Sequence, residues 1–104
     1  MRLDPDAAAG RAHLLGRALY VARSYADAIE AFKKARTLRY GQHAEIAASY
    51  AQLGSDEDAK LHVGEVLRLK PDFSTADYVD ALPFKESRDR EHHRDGFCKA
   101  GLPE

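Results

Sequence analysis

The chain has 104 residues, 44% apolar and 32% charged, which suits one globular domain with a modest core and excludes a disordered segment. Its net charge is -1 at pH 7, so it has no strongly basic face with which to displace counterions from nucleic acid. Cys98 is the single cysteine, which excludes an intrachain disulfide and points to a reducing, cytoplasmic setting, and no apolar run approaches the roughly 20 residues of a membrane span.

Ala, Leu, Glu, Lys and Arg are frequent and Trp is absent, a balance that favours helices. Met1-Arg2-Leu3-Asp4-Pro5 has no apolar stretch after its basic residue, so it does not read as a signal peptide. A first helix is predicted over 6–22, opened by Asp4-Pro5-Asp6 with proline near the first turn. It contains Ala12-x-x-Leu15-Gly16-x-x-Leu19. Ser24-x-x-Asp27 has the form of a capping box and opens a second helix over 25–38, with Ala28-x-x-x-Phe32 inside it. The third, over 42–53, carries His43-x-x-Ile46-Ala47-x-x-Tyr50, and Gly54 stands where a left-handed residue would end it. Ser55-x-x-Asp58 opens a fourth over 56–69, with Ala59-x-x-x-Val63. Ser74-x-x-Asp77 opens a fifth over 75–82, flanked by Phe73 and Tyr78 at the spacing of a hydrophobic staple and stopped by Leu82-Pro83. A polar sixth helix over 88–100 ends in Gly101-Leu102-Pro103-Glu104.

The first four helices share one frame. Twelve residues separate Gly16 from Ala28 and Ala47 from Ala59, and twelve more lead to Tyr40 and to Pro71. Small residues at these points let two antiparallel helices approach, while the large residues one turn away fill the groove beside them. Over residues 7–71 this pattern resembles the tetratricopeptide repeat, with Ala12 and His43 in place of its usual aromatic residue and Tyr40 in place of its closing proline. The junction between the two repeats is about three residues short. The resemblance implies an all-α fold: a right-handed α-solenoid of antiparallel helix pairs, with about two repeats and a C-terminal capping helix. One domain is expected, with repeat 1 over 6–38, repeat 2 over 42–71, and a partial repeat with its cap over 74–104. Arg2-Leu3-Asp4-Pro5-Asp6 nearly duplicates the closing segment Arg68-Leu69-Lys70-Pro71-Asp72, so a preceding part of the array is expected. The polar last helix reads as a solubilising cap, with Phe84, Phe97 and Leu102 laid over Val63, Val66 and Leu67.

Leu82-Pro83-Phe84-Lys85, Asp95-Gly96-Phe97 and Lys99-Ala100-Gly101-Leu102-Pro103-Glu104 are similar to the repeat tail of bacterial class III adenylate and guanylate cyclases, especially of rhizobial type. Similar tails occur on other bacterial tetratricopeptide proteins. The likeness runs from about Ala47 to the end, and implies a larger signalling protein of which this chain is the C-terminal region. No cyclase catalytic segment lies in these residues.

Chemistry-bearing motifs are sparse. No CxxC, HExxH or phosphate-binding Gly loop is present, His92 and His93 point about 100° apart on a helix, and His13, His43 and His62 are distant in sequence. No catalytic residue, cofactor or metal is therefore expected. Cys98, five residues after His93, reads as packing for the cap rather than as a nucleophile. The remaining candidate surface is the concave face, where repeat proteins hold a protein or peptide segment. It is expected to carry Gly10, His13, Arg17, Tyr20 and Val21 from one repeat, and Ala44, Ala48, Ala51 and Gln52 from the next. His13, Arg17, Tyr20, Ala48 and Gln52 are the candidate partner-binding residues, with neither nucleic acid nor membrane as partner. A purely structural or self-associating end-piece is the alternative, distinguished by a groove filled by the chain's own last helices.

Overall fold

The structure, a computed structural model, describes residues 5–35 and 37–104, with side chains described from Arg11 onward. All the regular elements among the described residues are helices: α1 (Pro5–Val21), α2 (Tyr25–Lys33), α3 (Tyr40–Gln52), α4 (Asp56–Leu69), α5 (Thr75–Asp80) and α6 (Ser87–Ala100). Helix α2 stops a turn short of the expected 38, and α3 begins two residues before the expected 42. The short junction between the two pairs is absorbed there, with Gln42 Oε1 accepting from the Arg39 amide at 3.1 Å to open α3.

Helix α1 packs on α2, α2 on α3 and α3 on α4, so each of the first four helices lies against its neighbour in sequence. Helix α6 then returns to lie chiefly on α3, touching α5, α4 and α1 at its edges. The buried core runs through Tyr20, Phe32, Ile46, Val66, Val79 and Phe97. Ala47, Ala51 and Ala59 form a second seam with Ala100, so small side chains bring α4 and α6 close to α3. A Cβ at Gly16 would lie 2.5 Å from the Phe32 ring, so the glycine makes room for the large residue one turn beyond Ala28.

The turn that ends α1 is repeated after α3. Ser24 N donates to Leu19 O at 2.8 Å, and Ser55 N donates to Tyr50 O at 2.9 Å. Gly54 holds the left-handed position of the second turn at φ 81°, and Arg23 holds it in the first at φ 66°. Neither Ser24 nor Ser55 makes the expected capping bond. Their ψ values of 67° and 72° fall short of the extended backbone a capping hydroxyl uses, and their carbonyls accept from Ala28 N and Ala59 N instead. Ser74 does cap, its Oγ accepting from Asp77 N at 3.2 Å, and Phe73 packs on Tyr78 with ring centroids 5.7 Å apart.

The last helix departs from its expected seat. Phe97 and Leu102 are buried as anticipated, but the main support is α3, with α4 a minor one, because α6 enters the groove instead of extending the row of helices. Phe84 is half-buried and packs on His93 at 4.8 Å, and Cys98 is exposed rather than packed. Beyond α6, Gly101 turns the chain at φ 93°, and Thr75 N and Ala76 N at the start of α5 donate to Pro103 O and Glu104 O.

Candidate functional site

Of the residues expected on a concave face, His13, Arg17 and Tyr20 stand on α1 and Ala44, Ala48, Ala51 and Gln52 on α3. Gly10 lies outside the described side chains, and Val21 is half-buried at the end of α1. Helix α6 lies along this face. Tyr20 and Ala48 retain no exposed surface, and Ala51 keeps 8%.

Tyr20 is the hinge pin of the contact. Its hydroxyl donates to His92 O at 3.1 Å and accepts from Gln52 Nε2 at 3.1 Å, while Gln52 Oε1 accepts from Lys99 Nζ at 3.1 Å. The Tyr20 ring is 4.6 Å from that of His92 and 4.5 Å from that of His93. A Cβ at Gly96 would overlap the Tyr20 hydroxyl, so only glycine allows α6 to sit this deep. Burial drives the Tyr20 hydroxyl's pKa well above the ordinary phenol value, which keeps it protonated and able to donate. His92 Nε2 is hydrogen-bonded to the Tyr25 hydroxyl at 2.7 Å.

One turn along, the groove contains a buried charge. Glu45 is 1% exposed, and its Oε1 accepts from His93 Nε2 at 2.7 Å, with His93 itself fully buried. Arg17 Nε lies 3.5 Å from the same oxygen. Arg17 Nη2 also donates to His13 Nε2 at 2.7 Å, which fixes His13 as a neutral ring with its proton on Nδ1. Burial is the main influence lowering the His13 pKa, opposed by the Glu45 charge. His13 Nε2 is therefore 3.2 Å from Glu45 Oε2 without donating to it, and that oxygen has no hydrogen-bond partner. The arrangement compensates one carboxylate with one guanidinium and one imidazole N–H, and in doing so it joins α1, α3 and α6.

Sequence reasoning missed Glu45. The available signal was that it is the only Asp, Glu, Lys or Arg in α3, flanked there by Ala44, Ile46, Ala47 and Ala48. The adjacent histidines both lie against the Tyr20 ring but hydrogen-bond to different partners, His92 to Tyr25 and His93 to Glu45.

The rest of the surface offers little chemistry. Cys98 Sγ faces Glu104 Oε1 at 3.6 Å, and desolvation followed by that carboxylate raises the thiol pKa, the opposite of nucleophile activation. A cleft of about 280 Å³ beside α5 is lined by Tyr40, Lys70, Asp72 and Asp77 among others. Lys70 there pairs with Asp72 at 3.5 Å and lies over the Tyr40 ring, so its charges are engaged with each other at the surface. Among the described residues, no three His, Cys, Asp or Glu stand close enough to hold a metal ion as placed. No helix among them is long and apolar enough to cross a membrane. Comparison with protein-family models, with curated proteins and with solved structures found no match to this chain.

Proposed function

We propose that this chain is a non-catalytic, tetratricopeptide-like end-piece that closes a longer helical array, its last helix occupying the groove that a partner segment would otherwise use. The observation that carries this reading is the burial of Tyr20, Ala48 and Glu45 beneath α6. A groove already filled by a helix tied down through Tyr20 and Glu45 suits a structural end better than an open docking face. The repeated frame supports the helical-array reading. Arg23 and Gly54, 31 residues apart, occupy equivalent left-handed turns, and Ser24 and Ser55 share nearly the same backbone angles.

The same offset favours the α1 side as the one on which an array would continue. Leu14 and Leu15 on α1 are 62% and 51% exposed, whereas their counterparts Glu45 and Ile46 on α3 are 1% and 0% exposed. Helix α2 packs on α3, and α1 has no preceding helix of this kind among the described residues. In the longer protein, which the tail likens to a class III cyclase, a preceding helix pair would cover these leucines. The chain itself would form no cyclic nucleotide, because carboxylates arranged to hold metal against a triphosphate are not part of the groove.

Hydrogen exchange on the intact chain tests the occupied groove. Amides of α6 are expected to be protected together with those of α3, as parts of one cooperative unit. If α6 exchanges at the rate of a free peptide while α1 to α4 stay protected, the groove is open in solution. The reading as a partner-binding module then replaces this one.

A further inference from the structure

We propose that the C-terminal unit from Ser74 to Glu104 is exchanged between two copies of this chain, α6 of each copy filling the groove of the other, an assignment that rests on the filled groove proposed above. The unit is closed on itself. Thr75 N donates to Pro103 O at 2.9 Å and Ala76 N to Glu104 O at 3.2 Å, while Ser74 Oγ donates to Glu104 O at 2.8 Å, so its two ends are tied together. Among the described residues, α5 packs on no helix but α6. The unit therefore holds to the first four helices through α6 and through side chains such as Tyr78, whose ring is 6.5 Å from that of Tyr40. The chain enters it by the tight turn Lys70–Phe73, in which Phe73 N donates to Lys70 O at 3.1 Å and Pro71 takes the second position. Straightening that turn releases the unit whole, at the cost of one backbone hydrogen bond outside the groove.

The groove is demanding about its occupant, and a second copy meets each demand by identity. It needs a glycine opposite the Tyr20 hydroxyl, because a Cβ at Gly96 would overlap that oxygen. Three residues earlier it needs a donor for the buried Glu45 Oε1, supplied by His93 Nε2 at 2.7 Å. Three residues later it needs a donor for Gln52 Oε1, supplied by Lys99 Nζ at 3.1 Å. A helix of unrelated sequence would have to carry all three groups at this spacing. Exchange between copies remakes every one of these contacts across chains, and because each copy both gives and receives a helix, the assembly closes as a two-fold dimer. The closed and exchanged forms then differ in the turn and in concentration. A short connection presents the unit to its own groove at an effective concentration of about millimolar, so a second copy competes as the chain nears that concentration.

Refolding the full chain from urea at about 1 mM and at about 10 μM, followed by size-exclusion chromatography with light scattering, tests the exchange. Dimer is expected at the higher concentration and monomer at the lower. In the dimer, isotope-filtered NMR on a sample refolded from mixed labelled and unlabelled chains should find the Tyr20 ring beside the other chain's His92. Deleting Asp72 removes a residue of the turn, and should bring the dimer in at a concentration at least about tenfold lower. A chain that stays monomeric at the higher concentration overturns the proposal. So does a dimer in which the Tyr20–His92 contact stays within each chain, the mark of association through another face. Hydrogen exchange separates the two readings: α6 protected in a strictly monomeric chain rejects the exchange alone, whereas unprotected α6 rejects the filled groove itself.

Discussion

Arg23 and Gly54 occupy the same kind of turn with different freedom. A side chain in the left-handed region costs roughly 1 kcal/mol relative to glycine, and Arg23 bears this cost at φ 66° without a hydrogen bond from its side chain among those described. Arg23→Gly is expected to stabilise the chain by about 0.5–1 kcal/mol in urea unfolding, and any loss of stability would assign Arg23 a contact that offsets its strain. The histidines set a second expectation. His13, His43, His62 and His92 all have folded pKa values below the ordinary 6.5, in each case mainly through desolvation. Between those values and 6.5 the unfolded chain binds more protons than the folded one. The stability they contribute is therefore full above 6.5 and is lost as pH falls toward about 4, where His62 titrates. The melting temperature should be level above neutrality and fall through this window, with a shallower fall in His62→Gln. A melting temperature that rises on acidification would reverse the sign and contradict the burial of these rings.

At the scale of elements, much was readable before the fold was known, because the signals were local. Proline near the start of α1, the left-handed glycines at 54 and 101, and the Phe73–Ser74–Tyr78 staple each depend on a few adjacent residues. The seat of α6 depends on contacts made across the whole chain, such as Tyr20 with His92, 72 residues apart, and no local pattern encodes them. The occupant of the expected concave face was left open because helical periodicity defines a face, not what covers it. Gly96 offers the sharpest test of that occupant. Gly96→Ala should destabilise by roughly 1–3 kcal/mol through overlap with Tyr20, whereas Gly64→Ala, in open space on α4, should be neutral or stabilising. Comparable effects at the two glycines would mean that α6 does not rest on Tyr20.

For the whole molecule, the exposed leucines and the buried groove define two unlike sides. On the α1 side, Leu14 and Leu15 face solvent, while on the α3 side the equivalent positions are closed. Leu15→Glu is expected to leave the melting temperature nearly unchanged, and Ile46→Glu to unfold the chain or lower its melting temperature by well over 10 °C, since a fully buried carboxylate would lack a partner. Equal sensitivity at both positions would show that α1 is covered in solution, by another copy or by a rearrangement of the chain.

The 72-residue span between Tyr20 and His92 also bears on how the chain is made. Helices α1 to α4 can pair while synthesis continues, since each lies on its neighbour. Tyr20 and Glu45, whose partners His92 and His93 lie on α6, are without that cover until α6 is made. When α6 arrives, the same carboxylate becomes the polar point on which His93 closes.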